Sequence, residues 1–438
     1  MSILPFFVII SINMLDIKFI TENKDLIAEG ARKKHIKFDV EELVKADTKR
    51  RELLTSIEKS RAEQNEVSFR IPQLKDDAAK KELLSQMKIL KDGLQKEEEK
   101  LKEVMKEWQG LILSVPNIPD ISVPEGATDA DNKEIKVWGE IPKFDFKPKD
   151  HIEIMEKLDL ADFETGTKVS GFRGYFLKNE GAELEMAIWQ LTIDLFREKK
   201  SDYGLMIVPS LVRRETLMGT GYLPQGEDDL YKTQDADYLA GTAEVATMAY
   251  FSDKVLNKKD LPMKKLAFSP AFRREAGSYS KDVKGLYRVH EFMKLEQVIL
   301  CEASHEESVK YHEELLGNAE DVVQALGLPY HVVLTCGGDL GLGQVKKYDI
   351  ETWMPSKNKY GETHSCSYFH DFQARRLNIK YRDADGKLKF VHSLNNTAIA
   401  TPRILIQIFE NNQQADGSVK IPEVLRKYMG GKEYIGKK

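Results

Sequence analysis

Two long stretches near the N-terminus carry apolar residues at heptad spacing. The first runs from Val40 to Leu74, and the second runs from Leu83 to Leu111. Between them, Pro72, Asp76 and Asp77 interrupt the pattern. Two such runs joined by a short break predict an antiparallel coiled-coil hairpin. Each arm has about 35 residues, so at about 1.5 Å per residue it would reach roughly 50 Å.

Basic side chains are dense along this hairpin. They occur at positions 49, 50, 51, 59, 61, 70, 75, 80, 81, 88, 91, 96, 100, 102 and 106. A projecting hairpin of this kind could grip a nucleic-acid backbone. Acidic residues are nearly as numerous, however, and a solvated coiled coil used for oligomerisation accounts for the same charges. The charge pattern by itself favours the second interpretation.

The rest of the chain alternates between short strands and helices. Residues 115–150 are rich in proline and polar residues, which predicts a linker before a globular domain that begins near His151. Apolar periodicity predicts helices over Lys178–Lys200 and Glu306–Leu326. The polar residues at 394–397 predict a turn, followed by a helix over Ala398–Asn411. Strands outnumber parallel crossover units, which indicates an α+β fold with an antiparallel β-sheet flanked by helices.

Composition narrows the class of protein only a little. The chain has 438 residues, is 41% hydrophobic and 31% charged, and carries a formal net charge of -5. This length suits two or three domains. The negative charge argues against general nucleic-acid binding, so any such binding needs a local patch. The three cysteines, at positions 301, 336 and 366, are widely spaced, which favours a reducing, cytoplasmic location over a disulfide framework.

Residues 1–13 form a short apolar run. A membrane span needs about 20 apolar residues, so this run is too short. It also lacks the basic region and the small-residue cleavage site of a secretory signal. We interpret it as an N-terminal extension, with the folded part beginning at Met14.

The stretch from 268 to 297 concentrates the candidate chemistry. Apolar and charged residues alternate on both sides of a Gly- and Ser-containing loop, which predicts two antiparallel strands. Arg273, Arg288 and Phe292 suit a polyanionic ligand with a flat base, because guanidinium groups match phosphate oxygens and a ring can stack on a base. A surface hairpin with exposed ion pairs, each contributing about 0–1 kcal/mol, accounts for the same residues.

Five segments, in this order, carry a resemblance to a known family. They are AGTAEV at 240–245, FRREAGS at 272–278, RVHEF at 288–292, ETHSCS at 362–367 and LNNTAIATPR at 394–403. Together with IVPSLVRRETLMGTGYLP around Pro209, they resemble the three signature motifs of class II aminoacyl-tRNA synthetases. The whole set is similar to the bacterial type of seryl-tRNA synthetase, and the likeness covers the chain from Met14 onward.

The resemblance implies roles for individual residues. Arg273 and Arg403 match the catalytic arginines, and Phe292 with Arg403 matches the pair that holds the adenine ring. The residues that match the serine site are Thr242, Ala243, Glu244, Arg273, Glu296, Asn395 and Thr397. The residues that match the ATP site are Arg273, Arg274, Glu275, Arg288, Val289, His290, Glu291, Phe292, Glu362, Thr363, His364, Ser365 and Arg403. Glu362 and Ser365 also match the Mg²⁺ ligands, and no zinc-ligand set is apparent.

The resemblance also implies an organisation and partners. It divides the chain into an extension at 1–13, a tRNA-binding helical domain at 14–118, a linker leading into the catalytic domain at 119–150 and the catalytic core at 151–438. The expected function is a cytoplasmic, homodimeric serine–tRNA ligase that uses ATP and Mg²⁺ and charges tRNA(Ser), with tRNA(Sec) as a further substrate; no membrane partner is expected. The resemblance makes tRNA binding the favoured role of the hairpin. A catalytically inactive tRNA-binding relative of the same fold, and a coiled-coil scaffold with an unrelated nucleotide domain, stay open as alternatives.

Overall fold

The computed structural model describes residues 16–277 and 284–436. Within this range the chain divides into two compact units. A helical unit comprises residues up to 32 and residues 36–116, and a sheet unit comprises residues 33–35 and those from 117 onward. The helices of the first unit are α1 (Ile17–Glu22), α2 (Lys24–Lys33), α3 (Val40–Arg70) and α4 (Asp77–Leu113).

The two long helices of the helical unit, α3 and α4, form the predicted hairpin. The side chains of Asp39 and Asp76 cap their N-termini by accepting hydrogen bonds from backbone N–H groups. A short 3₁₀ turn over Ile71–Gln73, which includes Pro72, ends α3 and begins the turn at the tip. Across the hairpin, the Ser56 hydroxyl donates to the Glu97 carboxylate at 2.7 Å. The sequence pattern therefore placed both helices and the break correctly.

The sheet unit contains the remaining helices and strands of the described chain. Its helices are α5 (His151–Lys157), α6 (Phe163–Ser170), α7 (Asn179–Lys199), α8 (Arg214–Thr220), α9 (Ala243–Ala249), α10 (His305–Ala325), α11 (Phe372–Arg376), α12 (Arg403–Asn411) and α13 (Glu423–Arg426). Its strands are β1 (Lys133–Trp138), β2 (Ala161–Asp162), β3 (Phe176–Leu177), β4 (Tyr203–Ile207), β5 (Leu211–Val212), β6 (Tyr231–Lys232), β7 (Tyr238–Leu239), β8 (Val255–Asn257), β9 (Met263–Phe272), β10 (Glu291–Cys301), β11 (Tyr330–Leu334), β12 (Lys346–Met354), β13 (Lys359–Tyr368), β14 (Lys380–Arg382), β15 (Leu388–Phe390), β16 (His392–Thr401), β17 (Val419–Lys420) and β18 (Tyr434–Ile435).

An eight-stranded sheet dominates the described part of this unit. Its strand order is β1-β11-β12-β13-β16-β10-β9-β4. All neighbours are antiparallel except β4 and β9, which pair in parallel. Helices α7 and α10 cover one face, where Ile188 and Leu315 pack in one apolar cluster with Leu295 and Ile299 of β10. Because side chains alternate along a strand, Phe292, Lys294 and Glu296 of β10 lie on the opposite face.

Two features of the sheet differ from the sequence interpretation. Residues 115–150 were expected to form a linker, yet they contribute β1, which pairs with β11 at one edge of the sheet. The turn predicted at 394–397 is wrong, because these residues lie inside the continuous strand β16. Asn395 pairs with Val298 on one side and with Ser367 on the other. Two neighbouring strands satisfy the backbone there, and this outweighs the local turn preference of asparagine.

The helix after β16 also begins later than expected. Helix α12 starts at Arg403, directly after Pro402, and not at Ala398. Strand pairing of β16 with β10 continues to Thr401, opposite Met293, so residues 398–401 are already used as strand. In the described part of the chain, no helix has the length and apolar character needed to cross a membrane.

Candidate active site

The antiparallel pair β9 and β10 positions the first group of candidate residues. Phe272 at the end of β9 lies opposite Glu291 at the start of β10. Directly after Phe272, the backbone N–H of Arg273 donates to the His290 carbonyl at 3.0 Å. The predicted hairpin is therefore present, with its loop joining the end of β9 to the start of β10. The part of this loop at 278–283 lies outside the described residues.

Many of the candidate ATP residues line one cleft. Those that do so are Arg273, Glu275, Arg288, Val289, Phe292, Glu362, Thr363 and Arg403, together with the candidate serine residue Thr397. They come from the β9–β10 loop, from β10, from β13 and from the β16–α12 junction. Segments that are more than 100 residues apart in sequence thus meet at one place, which the motifs alone could only suggest.

The charged groups in this cleft are held in two ion pairs. Arg288 Nη1 lies 2.9 Å from Glu275 Oε2, and Arg403 Nη1 lies 3.4 Å from Glu362 Oε2. The Arg403 guanidinium also lies 4.6 Å from the centre of the Tyr287 ring. Planar cations beside aromatic rings are suited to holding a flat base.

Two rings and two of the guanidinium groups line the same cleft, and each guanidinium lies beside one ring. Arg403 packs on Tyr287, whereas the Arg273 guanidinium lies 5.3 Å from the centre of the Phe292 ring. Tyr287 was absent from the sequence-based set. It lies within the loop between the two motif strands, where the pattern of apolar and charged residues does not indicate which way a side chain points.

A β-bulge brings Glu362 and Ser365 to the same face of β13. Glu351 lies opposite Glu362 and Ile350 lies opposite His364, so Thr363 is an extra residue in the pairing. Residues three apart on a regular strand point to opposite faces. The extra residue shifts the alternation by one position, so Glu362 and Ser365 point to the same face. Asp349 lies opposite Ser365, and its Oδ1 has no hydrogen-bond partner among the described residues. Three oxygen donors therefore gather here, one of which the sequence did not reveal.

These oxygen donors fit a hard divalent cation such as Mg²⁺, which takes one or two carboxylates and completes its shell with water and phosphate. The positive charges of Arg403, Lys347 and Arg273 outweigh the loss of solvation at Glu362 and lower the pKa of its carboxyl. Glu362 therefore stays charged. No cluster of three or more His, Cys, Asp or Glu side chains suited to a metal is found in the described part of the chain.

Most of the candidate serine residues form a second group, carried by α9, β10 and β16. Thr242 caps α9 by accepting from the Glu244 N–H, and Ala243 is the buried first residue of that helix. Glu296 on β10 lies opposite Thr397 on β16, and Asn395 is two residues along the same face. Glu244 and Glu296 are 4% and 1% exposed, so two carboxylates are buried within one small space.

Burial and the neighbouring charge of Glu296 raise the pKa of Glu244 to about 7. Tyr222 and Gln373 oppose this shift by donating hydrogen bonds to its two oxygens, at 2.9 and 2.6 Å. Lys294 pairs with Glu296 and supplies the nearest positive charge to both carboxylates. Tyr222, Lys294 and Gln373 were missed by the sequence analysis. Of these three, only Lys294 could have been found from the sequence. It is two residues before Glu296 on a predicted strand, so both side chains are expected on the same face.

Five candidate ATP residues are not among those that line the cleft. One of them is Ser365, which lies on β13 opposite Asp349. Arg274 is exposed, and its backbone N–H donates to the Asp229 carbonyl. His290 and Glu291 line a separate cavity of about 480 Å³ that also contains Phe172. His364 is buried on the other side of β13, and burial lowers its pKa to about 4, so the ring is neutral.

Comparisons with known proteins show which family the chain resembles. Residues 14–119 match the family description "Seryl-tRNA synthetase N-terminal domain", and residues 230–412 match "tRNA synthetase class II core domain (G, H, P, S and T)". A Serine--tRNA ligase from Deinococcus radiodurans is 46% identical over 430 residues, covering 97% of this chain and 99% of the relative. The chain belongs to the seryl-tRNA synthetase family. A Caldicellulosiruptor saccharolyticus relative with the same description is 46% identical and covers 95% of this chain and 99% of its own length.

Solved structures of seryl-tRNA synthetases show the same fold. The Pyrococcus horikoshii protein, complexed with ATP, matches with a TM-score of 0.86 and 38% identity, over 96% of this chain and 99% of that one. The cytoplasmic Naegleria fowleri protein, in complex with AMP, matches with a TM-score of 0.82 and 32% identity, over 96% and 98%. The expected class II fold with an N-terminal helical hairpin is therefore confirmed.

The raised pKa of Glu244 predicts a pH-dependent stability effect of Glu244→Gln in the ligand-free protein. In the unfolded protein this glutamate ionises near pH 4.3, whereas in the folded protein it stays protonated up to about pH 7. Ionisation therefore favours the unfolded state, and the free energy of unfolding decreases as pH rises from about 4.5 to 7. The variant cannot ionise. We expect it to be more stable than the unaltered protein by about 1–3 kcal/mol at pH 8 and nearly equal near pH 5, measured by urea unfolding.

Glu320→Gln serves as the control, because Glu320 is also buried but pairs with Lys136 at 2.7 Å. Removing that paired charge should destabilise the protein at both pH values. A stability gain for Glu244→Gln that is the same at pH 5 and pH 8 would contradict the assignment.

Proposed function

We propose that this chain activates L-serine with ATP to give seryl-adenylate and pyrophosphate, and then transfers the seryl group to the 3′ end of tRNA(Ser). One observation carries the proposal. A cleft with three guanidinium groups and two aromatic rings lies on the sheet face that carries Glu296, which is buried together with Glu244. The cleft suits a nucleotide, and the two carboxylates suit a small molecule with an ammonium group and a hydroxyl.

Arg273 has the central part in the first step. The serine carboxylate attacks the α-phosphorus, so two anionic groups must approach each other. The guanidinium of Arg273 leaves the end of β9, and its Nε donates to the Gly241 carbonyl at 3.3 Å, which restrains its direction. A fixed positive charge at this point offsets the repulsion and stabilises the charge that develops on the phosphoryl oxygens.

The remaining cleft residues bind and orient ATP. Phe292 and Arg403 hold the adenine ring, and Glu275 accepts from its amino group. Arg288 contacts the distal phosphates. Glu362 and Ser365 hold Mg²⁺, which would neutralise phosphate charge when bound. These assignments draw on the positions of the side chains around one cleft and on the match to the family.

Serine selection depends on the buried carboxylates. Glu244 and Glu296 are buried carboxylates that repel each other, and Lys294 favours the charged form of both, so the substrate ammonium would add a further favourable positive charge. Thr397 and Asn395 supply polar partners near Glu296. A site built to hydrogen-bond a hydroxyl leaves its own polar groups unpaired when the hydroxyl is missing, which disfavours alanine.

The hairpin of α3 and α4 binds the tRNA. Its length and its basic residues suit contact with RNA outside the acceptor end, and the same reasoning extends to tRNA(Sec). The three cysteines are free and buried, as suits a protein that works in a reducing cytoplasm.

The second subunit of a homodimer covers the β4 edge of the sheet. β4 is an edge strand, and its Leu205 and Ile207 are 50% and 84% exposed. A long exposed apolar edge favours pairing with another strand. Nearby Leu211 is also exposed, which extends the same apolar surface.

The activity is tested by ATP–pyrophosphate exchange with serine, alanine, threonine, glycine and cysteine. We expect exchange with serine and a loss of about 10³-fold or more in kcat/KM for Arg273→Ala, because the bridging charge is removed. Arg382→Ala is the control, because Arg382 lies on β14 and bonds the Gly386 carbonyl at an exposed site. Exchange with another amino acid but not serine would refute the substrate assignment.

Shortening the hairpin should separate the two steps of the reaction. Ser56 and Glu97 face each other across it. Replacing residues 55–98 by a short Gly- and Ser-rich turn therefore cuts α3 and α4 at positions that lie opposite each other. We expect tRNA charging to fall by about 100-fold or more while serine-dependent exchange changes by less than about threefold. Full tRNA charging by the shortened protein would exclude tRNA binding by this arm.

A charge on the β4 edge should prevent dimer formation. Ile207→Glu places an ionised group where the proposal puts an apolar interface, so we expect a monomer in sedimentation-velocity experiments. Leu388→Glu is the matched control, because Leu388 is about half exposed on β15, away from this edge. A dimer that persists in Ile207→Glu would place the subunit interface elsewhere.

A further inference from the structure

Gln373 lies outside all the motifs that the sequence analysis used, yet its side chain reaches Glu244, one of the candidate serine residues. It belongs to the short helix α11 and is 1% exposed. Its Nε2 donates to Glu244 Oε1 at 2.6 Å and to the Thr220 carbonyl at 3.2 Å. Its Oε1 accepts from the Ser393 hydroxyl at 2.7 Å. Both ends of the amide are therefore engaged.

These contacts fix the orientation of the amide. If it were rotated by half a turn, its carbonyl oxygen would face the Glu244 carboxylate and the Thr220 carbonyl, both of which only accept hydrogen bonds. Ser393 reinforces the observed orientation from the centre of the sheet, since it lies on β16 and is fully buried. Gln373 thus presents N–H donors to Glu244 and cannot easily turn away.

We infer that Gln373 is a positioning residue for serine activation, which acts by holding the Glu244 carboxylate, charged and correctly directed, towards the substrate ammonium. The inference rests on the proposed function. Glu244 is attached to α9 and meets its partners from three other segments: Tyr222 after α8, Gln373 on α11, and Lys294 and Glu296 on β10. Of these, Gln373 makes the shortest hydrogen bond to the carboxylate.

The charges around Glu244 explain why it needs this donor. Burial and Glu296 disfavour its ionised form, while Gln373, Tyr222 and Lys294 favour it. The balance places its pKa at about 7, so a change in one partner alters the charged fraction at neutral pH. Without the Gln373 donor, more of the carboxyl group is protonated, and a neutral carboxyl group binds an ammonium ion weakly.

A purely structural role for Gln373 makes a different prediction. Its bonds to Thr220 and Ser393 also tie α11 to α8 and β16. Loss of these ties alone would lower stability or kcat without a preference for one substrate. Loss of a positioning contact would instead weaken serine binding to an extent that depends on pH, and it would leave ATP binding nearly unchanged.

The test is ATP–pyrophosphate exchange with the full-length Gln373→Met protein, which keeps the side-chain volume and removes the donors. At pH 7.5 we expect the KM for serine to rise by about 10–100-fold, the range for a hydrogen bond to a charged group, and the KM for ATP to stay within about twofold. The ratio of the variant's serine KM to that of the unaltered enzyme should fall as pH rises from 7 to 9, because Glu244 then ionises without help.

Two further variants sharpen the result. Ser393→Ala frees the amide to rotate and should give a smaller increase in serine KM with the same pH trend. Gln407→Met is the matched control, since Gln407 is also a fully buried glutamine but its side-chain amide has no hydrogen-bond partner among the described residues. Its serine KM should stay within about twofold. Circular dichroism and thermal unfolding establish that each variant is folded.

The outcomes separate this inference from the proposed function. An unchanged serine KM in folded Gln373→Met would overturn the positioning role, and so would a fall in kcat with both KM values and the pH trend unchanged. Absence of serine-dependent exchange in the unaltered enzyme would instead refute the proposed function itself.

Discussion

The pairing of β10 between β9 and β16 is the constraint on which the site depends. This pairing gives the strand two different faces. Leu295 and Ile299 are buried under α7 and α10, and the apolar contacts there fix the register, since a shift by one residue would bring charged side chains into that core. With the register fixed, Phe292, Lys294 and Glu296 must face the other way. The apolar side of the strand thus determines where the charged side chains lie.

Charge balance then shapes the surroundings of the candidate serine residues Glu244 and Glu296. Two buried carboxylates would repel each other strongly in a medium of low polarity. Lys294 compensates part of this charge, and hydrogen bonds from Tyr222 and Gln373 compensate more. Burial and the charge of Glu296 nevertheless hold Glu244 partly protonated near neutral pH in the empty protein. Under the proposed function, a substrate ammonium would favour the ionised form, so the same repulsion that costs the empty protein stability favours binding of an amino acid.

Two irregularities in the sheet refine this arrangement. In the β10–β16 pair, Leu295 lies opposite Ile399 and Glu296 opposite Thr397, so Ala398 is an extra residue that aligns the side chains of Glu296 and Thr397. In the β12–β13 pair, Thr363 is the extra residue, and it brings Glu362 and Ser365 to one face. Bulges next to functional groups change the direction of individual side chains without moving the strands that carry them.

The sequence by itself determined the helical hairpin, the antiparallel class of the sheet and the motif strands, because periodicity and turn residues act over short distances. It also indicated the family and most of the cleft, since Arg273, Phe292 and Arg403 lie in recognisable segments. Only the tertiary structure decided that 394–397 is strand, that Tyr287 packs on Arg403, and that Tyr222, Lys294, Asp349 and Gln373 join the site. These features depend on contacts between distant segments, on strand register and on buried charge. Local residue preferences carry no information about any of the three.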